Sequence, residues 1–193
     1  WLGLVTRPFV RLLTWSTNLV VRLFGINPNE EDEEVTEEEI RMMVDVGKER
    51  GTIQETEKRL IDNIFDFDNK IVGEVMTHRT YVVGIPADSS LRDIVRTIKR
   101  EKFTRYPVYE GSIDNIIGIL HAKDILVNLD PEIAETFELK KLIREPLLMP
   151  ATRKADQAYR DLQRSKAHMA VVIDEYGGTA GIITLEDLLE EIV

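Results

Sequence analysis

The 193-residue chain contains no cysteine, which excludes disulfides, thiolate nucleophiles and thiolate-held metals together. Histidine is scarce as well. His78, His121 and His168 are the only three, and none stands at His-x-x-x-His spacing, so zinc chemistry is set aside. The chain has no Gly-x-Ser-x-Gly elbow and no P-loop, and with no Cys nucleophile or paired histidines an enzyme is not expected. Positive charge is in deficit: 25 Lys and Arg against 35 Asp and Glu leave a net charge of -10. A nucleic-acid surface needs clustered cations that displace counterions, so nucleic acid is not an expected partner. Long apolar runs are missing too. The longest uncharged run near the N-terminus covers residues 12–21, short of the roughly 20 that a membrane-spanning helix requires.

What remains is ordinary globular composition, 43% hydrophobic and 31% charged, with an uneven distribution of charge. Residues 1–29 hold Arg7, Arg11 and Arg22 and no acid, whereas eight of the ten residues 30–39 are carboxylates. A boundary is expected there. Trp1, Phe9, Trp15 and Phe24 beside the arginines suit a helix lying in the headgroup region of a membrane; a helix covering a protein core is the alternative. The start at Trp1 and the stop at Val193 inside an apolar helical pattern suggest a piece of a longer protein. From Thr36 the pattern turns helical. Thr36 with Glu39 reads as a capping box, with Ile40, Met43, Val44 and Val46 as the apolar stripe and Gly51 as the stop. Thr52 with Glu55 repeats the device ahead of a second helix to about Phe67, expected to bury Leu60, Ile61, Ile64 and Phe65. The acidic run at the head of the first helix reads as a solvated face complementing a helix N-terminus rather than a cation site.

An internal repeat dominates the rest of the chain. Residues 105–126 align with 168–189 without a gap, so that Val108 meets Val171, Gly118 meets Gly181, Ile119 meets Ile182 and Asp124 meets Asp187. With one residue of slippage the helical stretch 91–102 aligns with 155–166. Each half reads as strand, helix, strand, turn, strand, helix. The strands are expected near 81–85, 105–109 and 116–120, then near 147–149, 169–174 and 179–184. A unit of about 55 residues is marginal alone, and two copies packed sheet against sheet remove that difficulty.

After the third strand of the second repeat come Gly181, Thr184 and Asp187; the first repeat has Gly118, His121 and Asp124 in their places. Thr184 can offer a hydroxyl toward a phosphate, and Asp187 one turn later can accept from a ribose hydroxyl. A Thr-x-x-Asp quartet also caps helices with no further role. In a tandem repeat of this topology, however, the pattern resembles the nucleotide signature of CBS domains. His121 lacks the hydroxyl, so one working nucleotide site per chain is expected. The segments opening at Val75, around Phe103 to Val108, from Ser165 to Gly178 and from Thr184 to Ile192 are similar to the CBS pair of the CorC, hemolysin C-like and cyclin M proteins.

That resemblance implies an α/β (α+β) fold of tandem βαββα repeats forming a CBS pair. Its expected divisions are a juxtamembrane segment at 1–29, an acidic helical linker at 30–75 and CBS domains at 76–130 and 131–193. It implies a regulatory module that binds adenine nucleotide, ATP with Mg2+ or AMP or another adenosine ligand. The module would sit on the cytoplasmic side of a cell membrane and control a divalent-cation (magnesium or cobalt) transporter. Carried over by position, Thr77 borders the base, Arg105 pairs with phosphates through its charge-assisted fork, and Thr184 and Asp187 hold phosphate and ribose. Phe103, Pro107 and Glu186 complete the expected site. His78 stands where this family usually has proline and is expected to be exposed and without a role. A homodimer of CBS pairs is also expected, because the apolar helices 185–193 and 91–98 carry more apolar surface than one pair covers. A dimerisation module without nucleotide is the competing reading.

Overall fold

The computed structural model describes residues 35–129 and 137–193, and the expected juxtamembrane helix and most of the acidic run lie outside them. The chain divides into two units, one ending at Thr52 and one spanning Ile53–Val193. In the first, helix α1 (Glu37–Glu49) begins at Thr36. The Thr36 hydroxyl accepts from the Glu39 amide at 3.3 Å and the Glu39 carboxylate accepts from the Thr36 amide at 3.0 Å. This reciprocal cap satisfies two of the amides a helix start leaves free. Gly51, at φ 73°, ends the segment in a left-handed conformation that suits glycine. Of the expected stripe only Val44 is buried, while Ile40, Met43 and Val46 are exposed. No described residue of this unit covers them.

The second unit opens with α2 (Glu55–Asn69) and the single turn α3 (Val72–Val75). Thr52 does not cap α2: its hydroxyl donates back to the Gly47 carbonyl at 2.8 Å, and Gln54 takes the cap position, its amide donating to Glu57 at 2.8 Å. Phe67 is the buried residue of α2, whereas Leu60 and Ile64 are exposed. The expectation that all four upstream apolar residues are core fails because the helix packs by its C-terminal end. There α3 and the second sheet supply the cluster that holds Phe67 and Val72.

Next come β1 (Thr77–His78), β2 (Ile85–Pro86), α4 (Leu91–Glu101), β3 (Arg105–Tyr109) and β4 (Ile116–His121), then β5 (Leu147–Pro150), α5 (Ala155–Ser165), β6 (Met169–Ile173), β7 (Thr179–Thr184) and α6 (Leu185–Glu190). The strand expected at 81–85 is mostly absent. A 3-10 turn, Arg79–Tyr81, occupies its start, and His78 caps that turn by accepting from the Thr80 amide. His78 is exposed as expected but has this local role. The α-helix expected after β4 is a 3-10 helix, Ala122–Leu129. His121 offers no hydroxyl cap there, and the Asp124 carboxylate is drawn to Arg144 at 3.0 Å.

The strand order is β2-β3-β4 in one sheet and β1-β7-β6-β5 in the other. Each repeat therefore lends its leading segment to the other sheet. β1 runs antiparallel to β7, Thr77 opposite Ile182, and Arg144 bridges back to Ile119 of β4. The crossing over β7 is so close that a Cβ on Gly181 would lie 2.2 Å from the Thr77 carbonyl oxygen, which explains the glycine. One core centres on Ile85, Ile94, Tyr106, Val108 and Leu120. A second holds Phe67, Val72, Ala158, Leu162, Ile183 and Leu188, and Ile119, Met169 and Val171 join the sheets between them. Each large apolar side chain removed from water in this way contributes about 1.5–3 kcal/mol. At the C-terminus Lys70 pairs with Glu191, and the Asn63 amide donates to the Ile192 carbonyl at 3.2 Å, fastening the end of α6 to α2.

Candidate functional site

A cavity of about 290 Å3 opens where the two repeats meet. Its walls come from three places. β1 and the turn after it bring Thr77 and Tyr81; the start of β3 brings Phe103, Arg105 and Pro107; the β7–α6 junction brings Thr184, Glu186 and Asp187. All seven residues singled out in the sequence thus line one cavity, although Thr77 and Asp187 are 110 positions apart. The exchange of β1 into the second sheet makes this convergence, since pairing Thr77 with Ile182 sets it beside the strand that ends at Thr184.

At the β7–α6 junction Thr184 is the N-cap of α6. Its hydroxyl accepts from the Asp187 amide at 3.1 Å, and the Asp187 carboxylate accepts from the Thr184 amide at 2.8 Å. The capping role read in the sequence is therefore present, and both side chains keep oxygen lone pairs beyond those bonds. Arg105 is half-buried at the head of β3, and its guanidinium has no ion pair or side-chain hydrogen bond among the described residues. Unpartnered, it keeps its full fork of donors for a ligand.

Phe103 leaves a ring 52% exposed at the rim. It lies 6.0 Å from Tyr106 at an interplanar angle of 58°, and its amide donates to the Tyr106 hydroxyl at 2.9 Å. Burial, the largest influence, raises the Tyr106 phenol above its ordinary pKa, so the hydroxyl stays protonated and Phe103 keeps a fixed anchor. Pro107 is fully buried and forms the floor. Glu186 is exposed at the mouth.

The sequence did not single out Tyr81, Val82, Val83, Thr104, Met169 or Ile182, which also line the cavity. Tyr81 is 79% exposed, a second aromatic face at the entrance. The charged lining is one guanidinium against the carboxylates of Glu186 and Asp187. A bare polyphosphate is repelled by such a wall, whereas a phosphate chain carrying a divalent cation, with a ribose hydroxyl for Asp187, suits it. Among the described residues no group of three or more His, Asp or Glu is placed to hold a metal by itself, and no helix is long and apolar enough to cross a membrane.

The family model of the cyclin M transmembrane N-terminal domain matches residues 1–57, and that of the CBS domain matches residues 72–130 and 139–193. The UPF0053 protein YrkA of Bacillus subtilis (strain 168) is 37% identical over 197 residues, covering 100% of this chain and 45% of that protein. The chain thus spans about half the length of the curated relatives it matches. Among solved structures, the CBS domain of a bacterial CNNM/CorC family Mg2+ transporter superposes with a TM-score of 0.77 at 36% identity, covering 82% of this chain and 96% of that one. The structure of such a CBS domain in complex with ATP matches with a TM-score of 0.68 at 36% identity, covering 70% and 96%.

Proposed function

The chain belongs to the CNNM/CorC family, with a CBS-domain pair after a segment of the cyclin M N-terminal domain, and from that premise we propose that the pair is the adenine-nucleotide sensor of a membrane divalent-cation transporter. The observation that carries the reading is the meeting of Thr77, Phe103, Arg105, Pro107, Thr184, Glu186 and Asp187 on one cavity built from both repeats. The Phe103 ring stacks on the base beside Thr77 and over Pro107. Asp187 accepts from the ribose, Thr184 and Arg105 engage the phosphates, and Glu186 stands toward the cation that travels with them. ATP with Mg2+ is the expected ligand, because the two carboxylates disfavour an uncompensated triphosphate. The ATP-bound relative supports an adenine nucleotide in this fold.

No step of chemistry is assigned to these residues. The module binds, and the binding alters the membrane domain. Residues 1–57 match a transmembrane-domain model, and the CBS pair is assigned to the cytoplasmic side, where ATP is supplied. Magnesium or cobalt is the proposed cargo of the whole transporter. Calorimetry with ATP, AMP and S-adenosylmethionine, each with and without Mg2+, tests the reading. Saturable ATP binding strengthened by Mg2+ supports it, and heats no larger than dilution for all three ligands overturn it.

A second reading, a dimerisation module without nucleotide, draws on the exposed Leu60, Ile64 and Leu189. The two are compatible if a homodimer forms through these helices.

A further inference from the structure

A second cavity, of about 260 Å3, shares Arg105 and Met169 with the first. By the internal repeat it is the counterpart of the first. His121 stands in the place of Thr184, and the Arg144 segment bridges Ile119 as Thr77 pairs with Ile182. The chemistry has changed, however. α4 and α5 both end on a left-handed lysine, Lys102 and Lys166, so the residue after each cap is Phe103 in one repeat and Ala167 in the other. The second cavity therefore lacks the counterpart of the Phe103 ring, keeping only the smaller imidazoles of His121 and His168, and has no hydroxyl at its strand end.

Its charge is opposite as well. Arg105, Arg144 and Lys166 line it against the single carboxylate of Glu145, with His121 and His168 alongside. Asp124 steers Arg144 from the flank at 3.0 Å, whereas Arg105 and Lys166 have no ion pair among the described residues. In a chain of net charge -10, a cationic cluster around one opening, with Arg105 half-buried and Arg144 and Lys166 exposed at its rim, favours an anion. His121 feels the same field: burial first, then Arg144 and Arg105, with a smaller effect of Lys123 and against that of Asp124, hold its pKa below the ordinary value.

We propose that this second cavity binds a compact inorganic polyanion of the pyrophosphate class, held by Arg144, Lys166 and His121, and does not accept a nucleoside. The phosphate tail of a ligand seated in the first cavity shares this chemistry, and the test separates the two sources.

Sodium pyrophosphate is titrated into the 193-residue chain without nucleotide or divalent cation. Binding is read by calorimetry and by the imidazole resonances of His121. The expected result is saturable binding, with His121 titrating at higher pH when pyrophosphate is present. Arg144→Gln and Lys166→Asn each weaken binding about tenfold, as loss of a charged hydrogen bond does; asparagine tolerates the left-handed backbone at Lys166. Thr184→Ala leaves pyrophosphate affinity as it was. The proposal is overturned by an absence of saturable binding at millimolar pyrophosphate, or by an equal loss in Thr184→Ala, which would put the anion in the first cavity. It is also overturned if His121 responds to ATP and not to pyrophosphate, which would assign the cavity to a neighbouring ligand's phosphate tail.

Discussion

Thr184 and Asp187 hold each other, amide to hydroxyl at 3.1 Å and amide to carboxylate at 2.8 Å, at the point where the last strand becomes the last helix. Thr184→Ala therefore has two separable effects. Loss of the cap destabilises the chain by about 1 kcal/mol, and loss of a hydrogen bond to a charged ligand lowers ATP affinity about tenfold to hundredfold. Thr184→Ser retains both functions. Calorimetry on folded variants checks this, and His121→Ala in the other repeat is expected to leave ATP affinity within about threefold. Equal losses at the two positions would place the nucleotide elsewhere.

The two repeat glycines are not equivalent. A Cβ on Gly181 meets the Thr77 carbonyl oxygen at 2.2 Å, whereas one on Gly118 meets only the side chain of Ile143, at 2.7 Å. The Ile143 contacts include its Cβ at 2.8 Å, which no rotation removes, so the segment at Ile143 must shift as well, though by less than the 2.2 Å approach at Thr77 demands. Gly181→Ala is expected to cost about 3 kcal/mol and Gly118→Ala about 1 kcal/mol, measured by urea unfolding. The reverse order would contradict the exchange of β1 into the second sheet.

His121 makes the fold sensitive to acid. Its folded pKa lies below the ordinary 6.5 because of burial and the neighbouring Arg144 and Arg105. On acidification the unfolded chain takes up this proton first, so stability falls as pH drops from about 6.5 toward the folded pKa and is unaffected above that window. His121→Gln should lose this part of the dependence. The melting temperature of the wild-type chain is expected to fall further between pH 7.5 and 5.5 than that of His121→Gln; parallel curves would refute the assignment.

Self-association is expected through α2 and α6. Leu60 and Ile64 occupy one face of α2, and Leu189 and Val193 are uncovered at the C-terminus. The α4 residues Ile94, Val95 and Ile98, which in the sequence look like surplus apolar surface, are instead spent on the first core. Ile64→Glu with Leu189→Glu should convert a dimer to a monomer in light scattering at tens of micromolar protein. A monomeric wild-type chain, with and without ATP, would rule the dimer out.

The fold was legible wherever it is repeated. Aligning 105–126 with 168–189 located β3, β4, β6 and β7 and the junction of Thr184 with Asp187, because two copies of one pattern constrain each other. The unrepeated parts were harder to read. β1 is two residues long, too short for an alternating pattern, so nothing in the sequence announced that Thr77 crosses to the other sheet. Tyr81 lies in a three-residue turn with no periodicity. Met169 and Ile182 match Tyr106 and Ile119 in the repeat and read as core, although they also face the cavity. The cap of α2 passed from Thr52 to Gln54 because a threonine can also donate backward, to Gly47.

α6 is six residues long, about 9 Å from end to end, too short to bend. Its first turn is locked at Thr184 and its last residues are fastened to Lys70 and Asn63 of α2. The helix therefore acts as a strut: because Leu188 seats it in the second core, a tilt imposed at the cavity is delivered at the far end to α2 together with a shift of that core. Whatever sits against Thr184 thus has a direct mechanical route to α2.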